Sequence, residues 1–421
     1  MEAGGVTNRL LMDVRPLRES AAFRRLWAGS TLSNIGGQLT TFAVALQVYT
    51  LTHSSVAVGA VGLVGAIPAI ALGLIGGSIV DAVDRRRLVL ITLSGLAAVS
   101  ALYAAQAFAG STRLWPLYAL IAVQAVLGAV NGPAVRTFLP RLLPAGQIPA
   151  GAALTLLSMH LSVTLGPVLA GLLTAAGGLR VCYLVDALSY GAAFVAVLRL
   201  PPMPPPEVTR PRGLGAVVDG LRFIGGGRVL TGALLADLSA TVLGMPFALF
   251  PAINADRFGG LPQTLGLLAA APAVGGVLGS ALSGPVGRIA RPGRAMLGFG
   301  AVWGAGVALF GLAPVLWLAL GALVLAGAAD VLSVVLRTSI IQLATPDRYR
   351  GRASAAEYVV GVGCPQLGNF RAGAVAGLTT PAISAVTGGL ATVGGAALVA
   401  LAFPALTRFT RVEPVAETAP V

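Results

Sequence analysis

Twelve apolar stretches of about 20 residues each constrain this chain more than any other feature, because that is the length a helix needs to cross ~30 Å of hydrocarbon at 1.5 Å per residue. They fall at 27–51, 56–80, 88–110, 114–139, 150–175, 181–200, 229–254, 262–287, 294–313, 315–343, 352–378 and 380–405. Charged residues make up 10% of the 421 positions and apolar ones 56%. Soluble domains carry about 25% charged residues, so this chain cannot cover a water-facing surface. Within lipid, backbone polar groups pair internally only in helices or closed barrels, and spans of this length predict an all-α integral membrane protein. The first stretch is too long for a signal-peptide core and no small-residue cleavage pattern follows it, so it reads as the first span.

The charges orient the spans. There is no Lys, so all 28 basic residues are Arg, against 15 acids, for a net charge of +13. With a cytoplasmic N-terminus, 23 of them lie on inner segments or inner span ends, while Arg113, Arg180 and Arg257 lie outside and Arg337 and Arg371 lie within spans. Inner loops collect basic residues, which predicts that both termini are cytoplasmic and removes the nucleic-acid reading of the excess charge. Two Cys and two His exclude a disulfide scaffold and a Cys- or His-rich metal site. No nucleophile–base pair, metal cluster or phosphate loop stands at recognisable spacing, so neither a cofactor nor an enzyme is expected.

The chain divides into an N-terminal tail at 1–26, a six-helix bundle at 27–200, a linker at 201–228 that opens Pro201-Pro202-Met203-Pro204-Pro205-Pro206, a second bundle at 229–405 and a tail at 406–421. The halves echo each other: Arg136-Thr137 precedes Pro144 as Arg337-Thr338 precedes Pro346, and Pro68 and Pro272 sit in spans two and eight. A duplicated six-helix unit suits a secondary transporter, in which two halves rock about a midplane site. Such a protein is expected to work as a monomer on a small molecule and protons.

Two motifs carry a family resemblance. After span two comes Gly77-Ser78-Ile79-Val80-Asp81-Ala82-Val83-Asp84-Arg85-Arg86-Arg87. Gly77 lets helices approach closely, and Asp81 offers a carboxylate at the cytoplasmic rim, with Arg136 of span four as its candidate partner. An orienting basic cluster alone would account for Arg85 to Arg87. The pattern resembles the loop between spans two and three of the major facilitator superfamily, matched at Gly77, Asp81, Arg85 and Arg86. The corresponding loop of the second half keeps Gly284, Arg288, Arg291 and Arg294 without an acid, so a latch here would be one-sided. In span five, Ser162-Val163-Thr164-Leu165-Gly166-Pro167-Val168-Leu169-Ala170-Gly171 is similar to the Gly-Pro signature of exporters in that superfamily. Pro167 favours a kink and Gly166 and Gly171 allow close packing, as an ordinary kinked membrane helix also would.

A narrower likeness spans nearly the whole chain. Phe23-Arg24-Arg25-Leu26-Trp27, Val185-Asp186-Ala187-Leu188-Ser189-Tyr190, Gly244-Met245-Pro246-Phe247 and Thr345-Pro346-Asp347 look like the enterobactin exporter group of bacterial efflux carriers. The resemblance implies proton-coupled export of a catechol siderophore or another amphipathic molecule, with general multidrug or macrolide efflux as the alternative. A membrane scaffold or enzyme without transport is the alternative of a different class. Related chains carry acids where Gly368-Asn369-Phe370-Arg371 stands here.

Ionisable groups inside a bilayer cost at least ~2.5 kcal/mol and are candidates for function. Asp330 falls mid-way along span ten, with Ser333 and Arg337 on the same stripe and ~10 Å end to end. Asp237 lies in span seven with Thr241 one turn on. In the fold the chain resembles, spans one, four, seven and ten line a central cavity, so Asp237, Asp330 and Arg337 are expected to cluster. Burial favours the neutral form of an acid and a neighbouring Arg the charged one, so relative movement of these groups would load and release a proton. Asp330 is the first candidate carrier and Asp237 the second; a static ion pair is the plain alternative. Glu357 near the inner end of span eleven, His160 mid-way along span five and Arg371 are further candidates. Asp186, in a peripheral helix, reads as structural. Span one presents Ser30, Asn34, Gln38 and Thr41 on one face, suited either to lining a cavity or to holding helices together.

Overall fold

The computed structural model describes residues 13–203, 225–286, 288–345 and 347–410; the side chains of 73–82, 347–360 and 362 lie outside this description. A long helix lies in each predicted stretch, although the one expected over 229–254 breaks after Gly244, where Pro246 lacks an N–H: α1 Ala21–Thr52, α2 Ser55–Ala82, α3 Arg85–Phe108, α4 Leu114–Arg136, α5 Ile148–Gly177, α6 Leu179–Leu198, α7 Arg228–Gly244, α8 Pro262–Ala281, α9 Pro292–Leu312, α10 Leu316–Ala344, α11 Asp347–Leu378 and α12 Pro381–Ala402. Among the described residues ten helical stretches are long and apolar enough to cross a membrane. The two beyond these are α1 and α11. The first is rich in Ser, Thr, Asn and Gln, and the second opens Asp347-Arg348-Tyr349-Arg350 and carries Arg371.

Local signals set the helix ends. Ser20 caps α1 by accepting from Phe23 N at 3.1 Å, and Asp84 caps α3 by accepting from Arg87 N at 2.9 Å. Thr380 caps α12 in the same way, each side-chain oxygen serving an amide that has no acceptor within its own helix. Gly178, at φ 78°, turns α5 into α6 in a conformation that other residues adopt at a cost.

By contact the chain forms two compact units, one of Met1–Leu214 with Phe247–Ala273, the other of Gly215–Pro246 with Val274–Val421. One boundary, between Leu214 and Gly215, falls inside the stretch read as a linker, while residues 247–273 go with the first unit. In that unit α1 packs on α5 and α6, α3 on α4 and α6, and α2 on α4. Its core includes Leu93, Leu96, Phe138, Val197 and Met203. In the second unit α9 lies between α10 and α12, while α7 packs on α10, α11 and α12. Leu336, Ile340, Met296, Ala233 and Leu406 fill its core. The α9–α12 seam is close enough that a Cβ on Gly304 would sit 2.6 Å from the carbonyl oxygen of Gly389.

Candidate functional site

The second unit encloses a charged chamber. Asp237 of α7 and Arg337 of α10 form an ion pair, with 13% and 15% of their side chains exposed. Beside them Asp330, Ser333 and Val334 of α10, Met296, Gly300 and Trp303 of α9, and Thr392 of α12 line a cavity of about 20 Å³, room for roughly one water molecule. Helical spacing explains the lining: 330, 333, 334 and 337 share one face of α10, and 296, 300 and 303 one face of α9. Asp330 makes no hydrogen bond among the described residues, whereas Ser333 Oγ donates to Met296 O at 3.2 Å. The Arg337 guanidinium is paired with Asp237, and the Asp330 carboxyl lines the same cavity. With both ionised the trio carries a net charge of −1, and one added proton makes it neutral.

The predicted cluster of Asp237, Asp330 and Arg337 is therefore brought together, but within one unit and walled by α7, α9, α10 and α12 rather than by spans one, four, seven and ten. The lining from α9 and α12 lies beyond what the sequence reading reaches. Its available signal is the spacing of Met296, Gly300 and Trp303, which sits in a helix without charges at mid-span. Thr241 stays out of the chamber, its hydroxyl donating to Asp237 O at 2.8 Å along its own helix. Arg371 also lies elsewhere, donating from Nε to Val242 O at 3.2 Å and from Nη2 to Leu243 O.

In the first unit Asn34 and Thr41 are exposed and Gln38 is half-buried. Gln38 packs on Gly166, where an added Cβ would meet Gln38 Cγ at 3.0 Å. Gly171 presses on the chain at Pro262, an added Cβ falling 2.6 Å from Pro262 O. The Gly-Pro motif thus holds close backbone approaches on two sides of α5, with Pro167 buried between them. His160 is half-buried and makes no hydrogen bond among the described residues. Asp186 is fully buried, Oδ2 accepting from Thr40 Oγ1 at 2.6 Å and Ser100 Oγ at 2.7 Å. These bonds join α1, α3 and α6.

The gating-loop candidates divide. The side chains of Gly77, Asp81 and Glu357 lie outside the described residues, and Arg136 is exposed. Arg86 caps the carbonyl end of α6, its guanidinium donating to Val197 O and Leu198 O. Asp84 accepts from Met203 N at 3.1 Å, and Arg85 N donates to Met203 O at 3.1 Å. The sequence reading assigns Asp84 no role; its N-cap position before Arg87 is the signal that identifies one.

Comparison with known proteins places this geometry in context. Residues 13–418 match the family described as transmembrane secretion effector. The enterobactin exporter EntS of Shigella boydii is 28% identical over 410 residues, 96% of this chain and 97% of that protein. The EntS of Citrobacter koseri is 27% identical over 417 residues, 98% and 99% of the two chains. Among solved structures, the nucleoside transporter NupG has a TM-score of 0.72 at 16% identity, covering 93% of this chain and 100% of its own. An inward-facing bacterial homologue of the iron transporter ferroportin has 0.69 at 17%, covering 92% and 99%. These structures speak for the fold alone.

Proposed function

The chain belongs to the transmembrane secretion effector family, in the enterobactin exporter-like branch of the major facilitator superfamily, and from that membership as a membrane transporter we propose that it is a proton-driven exporter. Its cargo is a small amphipathic molecule of the enterobactin siderophore type. Twelve spans with cytoplasmic termini set it in the bacterial inner membrane, where it works as a monomer without a cofactor. Each cycle exchanges protons for cargo by alternating access.

One observation carries the proton-coupling part: a second carboxyl group, Asp330, lines the same chamber as the Asp237–Arg337 ion pair, with room for about one water. In such a site a proton on one acid changes the net charge from −1 to zero, so the packing of α7 against α10 has a different energy in the two protonation states. Asp330 takes up the proton while Asp237 holds Arg337; loss of the proton draws Arg337 toward Asp330 and loosens α7 from α10. Full-length likeness to proteins named as enterobactin exporters supports the cargo class.

The test is enterobactin movement in inverted membrane vesicles under an imposed pH gradient. Uptake coupled to proton efflux is expected, and uptake that ignores the gradient would remove the proton-driven mechanism. Movement of macrolides or dyes in place of enterobactin would assign the chain to general drug efflux.

A further inference from the structure

The last four carbonyls of a helix find no donor in their own turns. In α7 they belong to Thr241, Val242, Leu243 and Gly244. Four residues beyond Val242, where an amide would normally serve it, stands Pro246, which has no N–H. Arg371 of α11 supplies what is missing, with Nε donating to Val242 O at 3.2 Å and Nη2 donating to Leu243 O. No carboxylate pairs with Arg371 among the described residues; the partial negative charge of the helix end balances it.

The seat is tight. Gly388 of α12 lies against the guanidinium, where an added Cβ would come within 2.6 Å of Nη2. Gly368, one turn before Arg371, leaves room for the chain just past the helix end, an added Cβ falling 2.9 Å from Met245 Cβ. Beyond the clamp Met245 is extended at φ −74° and ψ 117°, and helix resumes as a 3-10 turn at Phe247–Leu249 and an α-helix at Phe250–Arg257. The chain passes from the second unit to the first immediately after Pro246. The helix that stops here carries Asp237 two turns earlier.

We propose that Arg371 is a positioning residue for transport: by closing the carbonyl end of α7 it confines a change of chain direction to Met245-Pro246, so that Asp237 stays registered on Arg337 when the chain beyond Pro246 moves. An unclamped end would instead fray back toward Asp237. The inference rests on the transport reading, and the test separates the two.

Wild type, Arg371→Met and the double variant Arg371→Met with Pro246→Ala are compared, since an alanine in place of Pro246 regains an N–H for Val242 O. Melting in detergent and enterobactin uptake by inverted vesicles are measured together. Arg371→Met is expected to lose melting temperature and at least about tenfold in uptake, the factor that one charged hydrogen bond is worth. The double variant is expected to regain part of the melting temperature but not uptake, because the bond to Val242 O is restored while the joint is gone. Recovery of both, or loss of neither in Arg371→Met, would overturn the proposal. Should wild-type vesicles move no enterobactin, the transport reading fails and amide exchange over 238–244 decides the clamp. Exchange at least about tenfold faster in Arg371→Met supports it, and equal exchange overturns it.

Discussion

Asp237 and Arg337 meet across α7 and α10 as a largely buried ion pair, while Asp330, on the same helix as Arg337, faces the same small chamber without a hydrogen bond of its own among the described residues. On the proposed coupling, the pair holds α7 to α10 and Asp330 is the group that changes its charge.

Arg337→Gln removes the one cation from two acids. Breaking a buried pair by deleting one partner costs about 3–5 kcal/mol, so a large fall in melting temperature is expected. Adding Asp237→Asn to that variant takes away one uncompensated charge and is expected to recover at least half of the loss. Thermal melting of both variants in one detergent checks this; no recovery would mean that the pair is not what the packing depends on.

Asp330→Asn deletes no hydrogen bond among the described residues and keeps the shape of the side chain, so its melting temperature is expected to fall far less than that of Arg337→Gln. Its transport, by contrast, is expected to stop responding to an imposed pH gradient. Vesicle uptake measured with and without the gradient checks this, and a retained response would free Asp330 from any coupling role.

For Asp186 the expectation is opposite. The Asn variant keeps an oxygen for Thr40 and Ser100, and its pH profile of transport is expected to match wild type. The Ala variant strands both hydroxyls, at about 1–3 kcal/mol for each buried group left unpaired. Melting of the two variants side by side distinguishes them, and a shifted pH profile in Asp186→Asn would contradict a purely structural role.

Gly304 and Gly298 lie six residues apart on α9 in different surroundings. A Cβ on Gly304 would press on the backbone of α12, whereas nothing stands within 4 Å of one on Gly298. Gly304→Ala is expected to cost about 1–3 kcal/mol from overpacking. Gly298→Ala is expected to gain up to about 1 kcal/mol from helix propensity. Equal melting temperatures for the two would show that the seam yields.

The positions of the long helices were legible in the sequence because apolar length and breakers are local properties: Pro149, Pro262, Pro292 and Pro381 mark helix starts, and Gly178 a turn, but the break of the stretch 229–254 at Met245-Pro246 was not. The acids and the Arg of the chamber were legible too, since a charge within a span needs a reason to be there. Their walls were not. Met296, Gly300 and Trp303 are ordinary residues for an apolar helix, and only the packing of α9 behind α10 turns them inward. Arg371 likewise reads in the sequence as a group facing cargo, because the carbonyls it serves belong to a helix 129 residues earlier in the chain. What a residue touches across such a distance is decided by packing and leaves no periodic mark.

A compartment with space for a single water cannot admit a catechol siderophore or a drug. On the proposed mechanism, cargo has to be gripped at other surfaces of the protein, and swapping one cargo for another need not disturb the Asp237, Asp330 and Arg337 trio. Under that reading recognition and energisation are separable by mutation, so selection for a new export product has a route that leaves the trio alone.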